Sequence, residues 1–291
     1  MRITLNPKTT PFNLDHTLQC GQVFRWQKHY DWWYGIVAEK PLKIRQTHNV
    51  LEFEGTDTDF IKKYFRLDDP LPLILHKISK DAYIRKAVKN FHGLRLIRQD
   101  PWECLIAYIC ATYKNIPAIQ NMIANLSKQF GHKNTLDDHT FYTFPTQKRL
   151  ASATIEVLER CKLGFRAKYI QETARTIHQK TLNLTELETK PYETAKKELL
   201  KLPGVGNKVA DCVLLFSLNK LEAFPTDVWM KKTMLENYHQ HFDHAFVQKA
   251  LKRKSLTTND YRRIGSFARE YFGKHAGYAQ QYLFHQERSA C

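Results

Sequence analysis

The chain has 291 residues, enough for one large or two ordinary domains, and a hydrophobic share of 43% supports real cores. Its 45 lysines and arginines outnumber 29 acidic residues, for a formal charge of +16 at pH 7. That excess calls for a polyanionic partner, nucleic acid before a membrane surface, because no basic amphipathic run or lipidation signal accompanies it.

The opening stretch, Met1 to Phe12, lacks the apolar centre of a secretion signal, and no apolar run approaches a membrane span. An intracellular, unsecreted protein is expected. Up to about Gly55 the residues alternate in the β manner, over Val23–Trp26, Trp32–Val37, Leu42–Arg45 and Val50–Phe53, which reads as a twisted antiparallel sheet. From Thr58 the period becomes helical and is expected to stay so to the end. The class is therefore α+β, with an N-terminal sheet domain carrying some helices over 1–98 and a mostly helical domain over 99–291. Asp100-Pro101-Trp102-Glu103 combines an N-cap, a proline at N1 and an acid at N3, a strong helix start. Further helices are expected at Ile116–Phe130, Ala167–His178, Tyr192–Leu200, Asp260–Phe272 and Tyr278–His285.

The most informative stretch runs from Lys201 to Lys232. Leu202-Pro203-Gly204-Val205-Gly206 forms a tight turn, in which both glycines are expected to allow φ > 0 and close backbone approach. An apolar helix follows at once, ending near Asn219. Its unpaired N–H groups and positive dipole end favour an anion such as a phosphate. Lys208 in that first turn is out of character. An ordinary lysine titrates near about 10.4, so an amine that attacks at neutral pH must be deprotonated against about 4 kcal/mol. A helix terminus contributes only ~0.3–2 kcal/mol of that, and desolvation or a neighbouring charge has to contribute the rest. Cys212 lies at i+4 on the same face as Lys208. Pro225-Thr226-Asp227 then opens another helix, with Asp227 as its N-cap.

Three separated stretches, GQVFRW (Gly21 to Trp26), the turn and helix from Lys201 to Asp227, and AGYAQQYLF (Ala276 to Phe284), together resemble the 8-oxoguanine DNA glycosylase/AP lyase branch of the helix-hairpin-helix glycosylases. The resemblance implies a mostly helical glycosylase core with its hairpin at about 201–208, and double-stranded DNA containing 8-oxoguanine as the substrate. It also implies roles. Lys208 is the nucleophile and Asp227 its carboxylate partner. The main-chain carbonyl of Gly21 meets the N7 hydrogen that 8-oxoguanine has and guanine lacks. An unmodified guanine would set two lone pairs against each other there. Gln280 reads the Watson–Crick edge, while Phe284 and Cys212 cover the two faces of the extruded base.

The hairpin residues Gly204, Val205 and Gly206, with Tyr113, Asn115 and Arg166, are the expected DNA contacts. Tyr113 stands at the first position of the family's asparagine wedge. Ala118 stands where some members carry an arginine that reads the opposite cytosine, and Phe165 where they carry a tyrosine. A weaker preference for cytosine is therefore expected. The hairpin carbonyls from Lys201 to Val205 offer a seat to a monovalent cation, as in relatives.

No catalytic metal is expected, because Tyr238 to His244 matches no standard zinc spacing. An iron–sulfur cluster is ruled out by the lack of a closely spaced cysteine quartet near the C-terminus. The six cysteines (Cys20, Cys104, Cys110, Cys161, Cys212 and Cys291) have no C-x-x-C spacing and read as thiols in a reducing compartment. A monomer suits an enzyme that wraps a kinked duplex. Two other readings stay open at this point: a relative acting on an alkylated purine or oxidised pyrimidine, and a helix-hairpin-helix module that only binds DNA.

Overall fold

Alternating apolar residues build the first layer. In the computed structural model, which describes residues 1–289, β1 (Arg2–Thr4) is followed by α1 (Leu14–Gln19), β2 (Trp26–His29), β3 (Trp32–Val37), β4 (Lys40–Thr47), β5 (Val50–Glu54) and α2 (Thr58–Tyr64). The strands form one antiparallel sheet in the order β1-β5-β4-β3-β2. Trp33 sits opposite Ile44, and Ile44 opposite Phe53. One face therefore buries Trp26, Trp33, Leu42, Ile44, Leu51 and Phe53 beneath α1 and α2, each large side chain contributing about 1.5–3 kcal/mol.

The strand expected from Val23 begins only at Trp26. Gly21 has φ +86, and the residues up to Arg25 form an irregular loop. Gln22 holds that loop together. Its fully buried amide donates from Nε2 to the carbonyls of Thr17 (3.0 Å) and Arg95 (2.8 Å) and accepts the Ile97 N–H at Oε1 (2.9 Å). A satisfied side-chain amide replaces the ladder pairing that a strand would supply.

The second layer contains α3 (Leu71–Ile78), α4 (Ala82–Asn90), α5 (Pro101–Cys110), α6 (Ile116–Phe130), the strands β6 (Lys133–Leu136) and β7 (His139–Tyr142), α7 (Gln147–Ser152), α8 (Ile155–Arg160) and α9 (Arg166–His178). It continues with α10 (Tyr192–Leu199), α11 (Asn207–Ser217), α12 (Val228–Asn237), α13 (His244–Lys252), α14 (Thr258–Phe272) and α15 (Ala276–Ser289). The caps are local. Asp100 accepts the Glu103 N–H at 2.8 Å, and Thr257 and Asp260 form a reciprocal capping box.

The helical run expected from Thr58 to the end is interrupted by the β6–β7 hairpin. Its Thr135, Thr140, Phe141 and Tyr142 favour strand, and Asp137 turns the corner at φ +50. Asp137 also accepts from Tyr34 Oη and Lys43 Nζ, both at 2.9 Å, which docks the hairpin on the sheet.

The boundary expected at residue 98 does not divide the cores. The smaller buried cluster runs from Leu5 to Leu67 and takes in Ile97, whereas Leu71 to Leu96 belong to the helical cluster. The reason is that α3 and α4 bury their apolar faces against α15 instead of the sheet. At the centre α11 is buried on nearly every side and packs on α5. Among the described residues no helix is long and apolar enough to cross a membrane.

Candidate active site

The turn joining α10 to α11 sets the first wall. Gly204 has φ +76, and a Cβ there would lie 2.8 Å from Tyr169 Cβ, so backbone hand and space both require glycine. Gly206, expected to share that role, does not: its φ is an ordinary −94, and a Cβ would meet nothing within 4 Å. Gly206 instead forms the N-cap of α11 with no side chain to cover the first amides. Val205 is buried, and Thr173 Oγ1 donates to the Pro203 carbonyl at 3.0 Å. The result is an uncovered helix start that favours an anion.

Lys208 is the second residue of α11 and is partly buried, with Cys212 one turn on at 3% exposure. Asp227 caps α12, its Oδ1 accepting the Met230 N–H at 2.9 Å. Burial pushes the Cys212 thiol up to about 12; the Lys208 charge acts against that rise, and the Asp211 and Asp227 carboxylates add to it. A neutral, buried thiol of this kind is a polarisable contact surface and not a nucleophile. The residues just before Lys208 and Asp227 are brought together at one atom: the Tyr261 hydroxyl oxygen lies 3.2 Å from the Asn207 carbonyl and 3.4 Å from the Thr226 nitrogen.

The second wall is α15. Gln280 is 5% exposed, and its Oε1 has no hydrogen-bond partner among the described residues. An unpaired buried amide oxygen costs about 1–3 kcal/mol, which marks a place kept for a donor. Phe284 lies one turn on. A Cβ on Gly21 would lie 3.5 Å from Phe284 Cε1, 3.2 Å from Ile116 Cδ1 and 2.9 Å from Arg288 Nη1. Gln281 Nε2 donates to the Cys20 carbonyl at 2.9 Å, and Arg288 donates to the Gln19 carbonyl, so the chain leading into Gly21 is bound to α15 at two successive carbonyls. Tyr108 joins the two walls: its hydroxyl donates to the Gln22 carbonyl at 3.3 Å, and burial, then Cys212, Cys104 and Cys20, raise it well above the ordinary tyrosine range.

Of the other expected contacts, Tyr113 is 93% exposed at φ +54, beyond the end of α5. The Asn115 side-chain oxygen is committed to capping α6, accepting the Ala118 N–H at 3.0 Å. Arg166, expected at the DNA, is 3% exposed: its guanidinium donates to the carbonyls of Leu163 (3.3 Å) and Thr112 and stacks 4.3 Å over Phe165. The two carbonyls hold the guanidinium against the turn carrying Tyr113, while its Nε has no partner among the described residues. No three His, Cys, Asp or Glu side chains among the described residues are placed to hold a metal. His241 packs 4.8 Å over Phe267. The cysteines from Cys20 to Cys212 are free thiols, and Cys291 lies outside the described residues. A polar cavity of about 530 Å³ lies elsewhere, on the sheet between Asp15, Lys28, Arg45 and His48.

Residues 4–105 match the family described as 8-oxoguanine DNA glycosylase, N-terminal domain. The N-glycosylase/DNA lyase of Saccharomyces cerevisiae is 30% identical, over 94% of this chain and 83% of its own. The probable N-glycosylase/DNA lyase of Methanothermobacter thermautotrophicus is 33% identical, over 72% of this chain and 68% of its own. The chain belongs to the 8-oxoguanine DNA glycosylase family. Its fold is similar to that of the Clostridium acetobutylicum 8-oxoguanine glycosylase/lyase in complex with dsDNA containing cytosine opposite 8-oxoG, with a TM-score of 0.86 and 33% identity over 96% of this chain and 92% of that one.

Within this glycosylase, Gln22, Gln281 and Arg288 were not singled out from sequence. Gln22 and Gln281 stand inside the motifs that carried the resemblance, and that adjacency was the only signal available.

Proposed function

We propose that this glycosylase removes 8-oxoguanine from duplex DNA through the amine of Lys208 and then opens the strand as a lyase. The observation that supports the assignment is the Tyr261 hydroxyl lying within 3.4 Å of both Asn207 and Thr226, the residues before Lys208 and Asp227 at the starts of two helices.

The extruded base lies between Cys212 and Phe284, with the Gln280 amide on its Watson–Crick edge and the Gly21 carbonyl on its N7 hydrogen. The deprotonated Lys208 nitrogen gives its lone pair to the deoxyribose C1′. The C1′–N9 bond breaks, and the base leaves with that electron pair and takes up a proton. Positive charge grows on the sugar as the base departs, and the Asp227 carboxylate stabilises it. A carboxylate beside an amine also favours the charged amine, so Asp227 acts chiefly on the sugar. The Lys208 nitrogen then loses a proton and its lone pair forms the C1′=N bond as the C1′–O4′ bond breaks and O4′ takes up a proton, which gives the Schiff base. Loss of a C2′ proton then expels the 3′ phosphate by β-elimination, and water hydrolyses the imine to restore Lys208.

In the hairpin, the Leu202 and Pro203 carbonyls each accept one hydrogen bond, from Val205 N–H (3.1 Å) and Thr173 Oγ1 (3.0 Å). Main-chain oxygens of this kind suit a hard monovalent cation set against a DNA phosphate. No chemical step runs through it. The substrate places the enzyme's action at the nucleoid or, in a eukaryote, in the nucleus.

Lys208→Gln tests the assignment. It should bind lesion-containing duplex as the parent does and form no borohydride-trapped adduct; an adduct that persists would move the nucleophile elsewhere.

A further inference from the structure

We infer that the Tyr261 hydroxyl is a positioning group that fixes Lys208 relative to Asp227. This rests on the roles given to those two residues above.

Tyr261 projects from α14 and is 5% exposed. Its oxygen lies 3.2 Å from the carbonyl of Asn207, the residue before Lys208. It accepts the N–H of Thr226, the residue before Asp227, at 3.4 Å. It also lies 2.5 Å from Asp211 Oδ2, one turn into α11. A single atom therefore touches the start of the lysine helix, the body of that helix and the segment leading into the aspartate helix.

A hydroxyl has one proton, and the closer, charged acceptor takes it, so Tyr261 donates to Asp211 and keeps its lone pairs for Thr226. Burial and the Asp211 charge raise the Tyr261 hydroxyl well above the ordinary range, which keeps that proton in place. Asp211 is a firm anchor: it is fully buried and also accepts from Tyr192 Oη at 2.8 Å and Lys196 Nζ at 2.9 Å. Those two partners hold the carboxylate without help from Tyr261. What Tyr261 alone adds is a hydrogen-bonded link from Asp211, one turn into the lysine helix, to Thr226, the residue before Asp227, with the Asn207 carbonyl packed beside it. Reaction at C1′ depends on amine and carboxylate meeting the sugar together, and small misplacements of such groups cost rate far more than binding.

The experiment compares Tyr261→Phe with Tyr192→Phe, each of which removes one hydroxyl from Asp211 and keeps the ring. Single-turnover release of 8-oxoguanine, affinity for lesion duplex, and thermal midpoint are measured for both. Tyr261→Phe should release base about tenfold to a hundredfold more slowly, with affinity within about twofold of the parent. Tyr192→Phe should keep the parental rate. Adding Tyr261→Phe to Asp227→Asn should slow base release by less than about threefold beyond Asp227→Asn alone, because the two act as a unit. An unchanged rate in Tyr261→Phe, an equal loss in Tyr192→Phe, or losses that multiply with Asp227→Asn would each overturn the inference. Failure of the underlying assignment shows separately, as an adduct that survives Lys208→Gln.

Discussion

Gly21 shows how much one missing side chain can carry. Its φ of +86 and the contacts a Cβ would make with Arg288 and Phe284 leave no room for alanine without moving α15 or turning the carbonyl. Gly21→Ala should therefore lower single-turnover excision of 8-oxoguanine by about tenfold or more. Cleavage of a preformed abasic site, which presents no base to read, should stay within about twofold; a parallel loss of both activities would show a general disruption. At this scale, what was legible in the sequence was whatever obeyed or broke a local rule. Gly204, Lys208 and Asp227 each sit where a turn or helix start makes demands on neighbours in the chain. Gln22 and Tyr261 were not legible, because their partners lie 73 and 54 residues away in Arg95 and Asn207. The burial of Arg166 against the Leu163 and Thr112 carbonyls was not legible for a related reason, since those partners are fixed only by the fold.

Among the elements, α15 carries a buried histidine that ties stability to pH. His285 follows Phe284, is 5% exposed, packs 4.2 Å from the Phe91 ring, and has no partner for Nδ1 among the described residues. Burial, helped by Arg288 and His16, pushes its imidazole down from 6.5 to about 4. A group whose folded value is depressed leaves the unfolded chain binding more protons between those values. Its contribution is therefore complete above about pH 6.5 and is lost as pH falls toward 4. The thermal midpoint should drop across that window, and His285→Phe should flatten the drop; an unaltered slope would place the pH sensitivity elsewhere. Helices such as α5, α6, α12 and α14 were readable because a side chain caps the start of each. The β6–β7 hairpin and β1 were not, since four and three residues carry too little alternation to compete with the helical pattern around them.

For the molecule as a whole, the surface proposed to meet DNA is built from turns: the Gly204 hairpin, the Tyr113 turn and the Phe165 turn. Phe165 is 58% exposed, and Tyr113 93%, in a left-handed conformation that few side chains adopt. With Tyr113 where the family pattern has asparagine, and alanine at position 118, although Arg166 matches that pattern, we propose a weaker preference for cytosine opposite the lesion. Single-turnover rates opposite the four bases should differ by less than about tenfold, or 1.4 kcal/mol; strict dependence on cytosine would refute this. The α+β layout was legible, but the division of the cores was not, because α3 and α4 follow the sheet in sequence yet belong in space to α15. The bond from Gln281 to Cys20 spans 261 positions of the chain. A nascent polypeptide therefore has its amine and carboxylate helices in hand well before it can tell a damaged base from a sound one. On the roles proposed above, discrimination is acquired later in synthesis than the reacting pair, because it waits for α15 to reach the Gly21 loop.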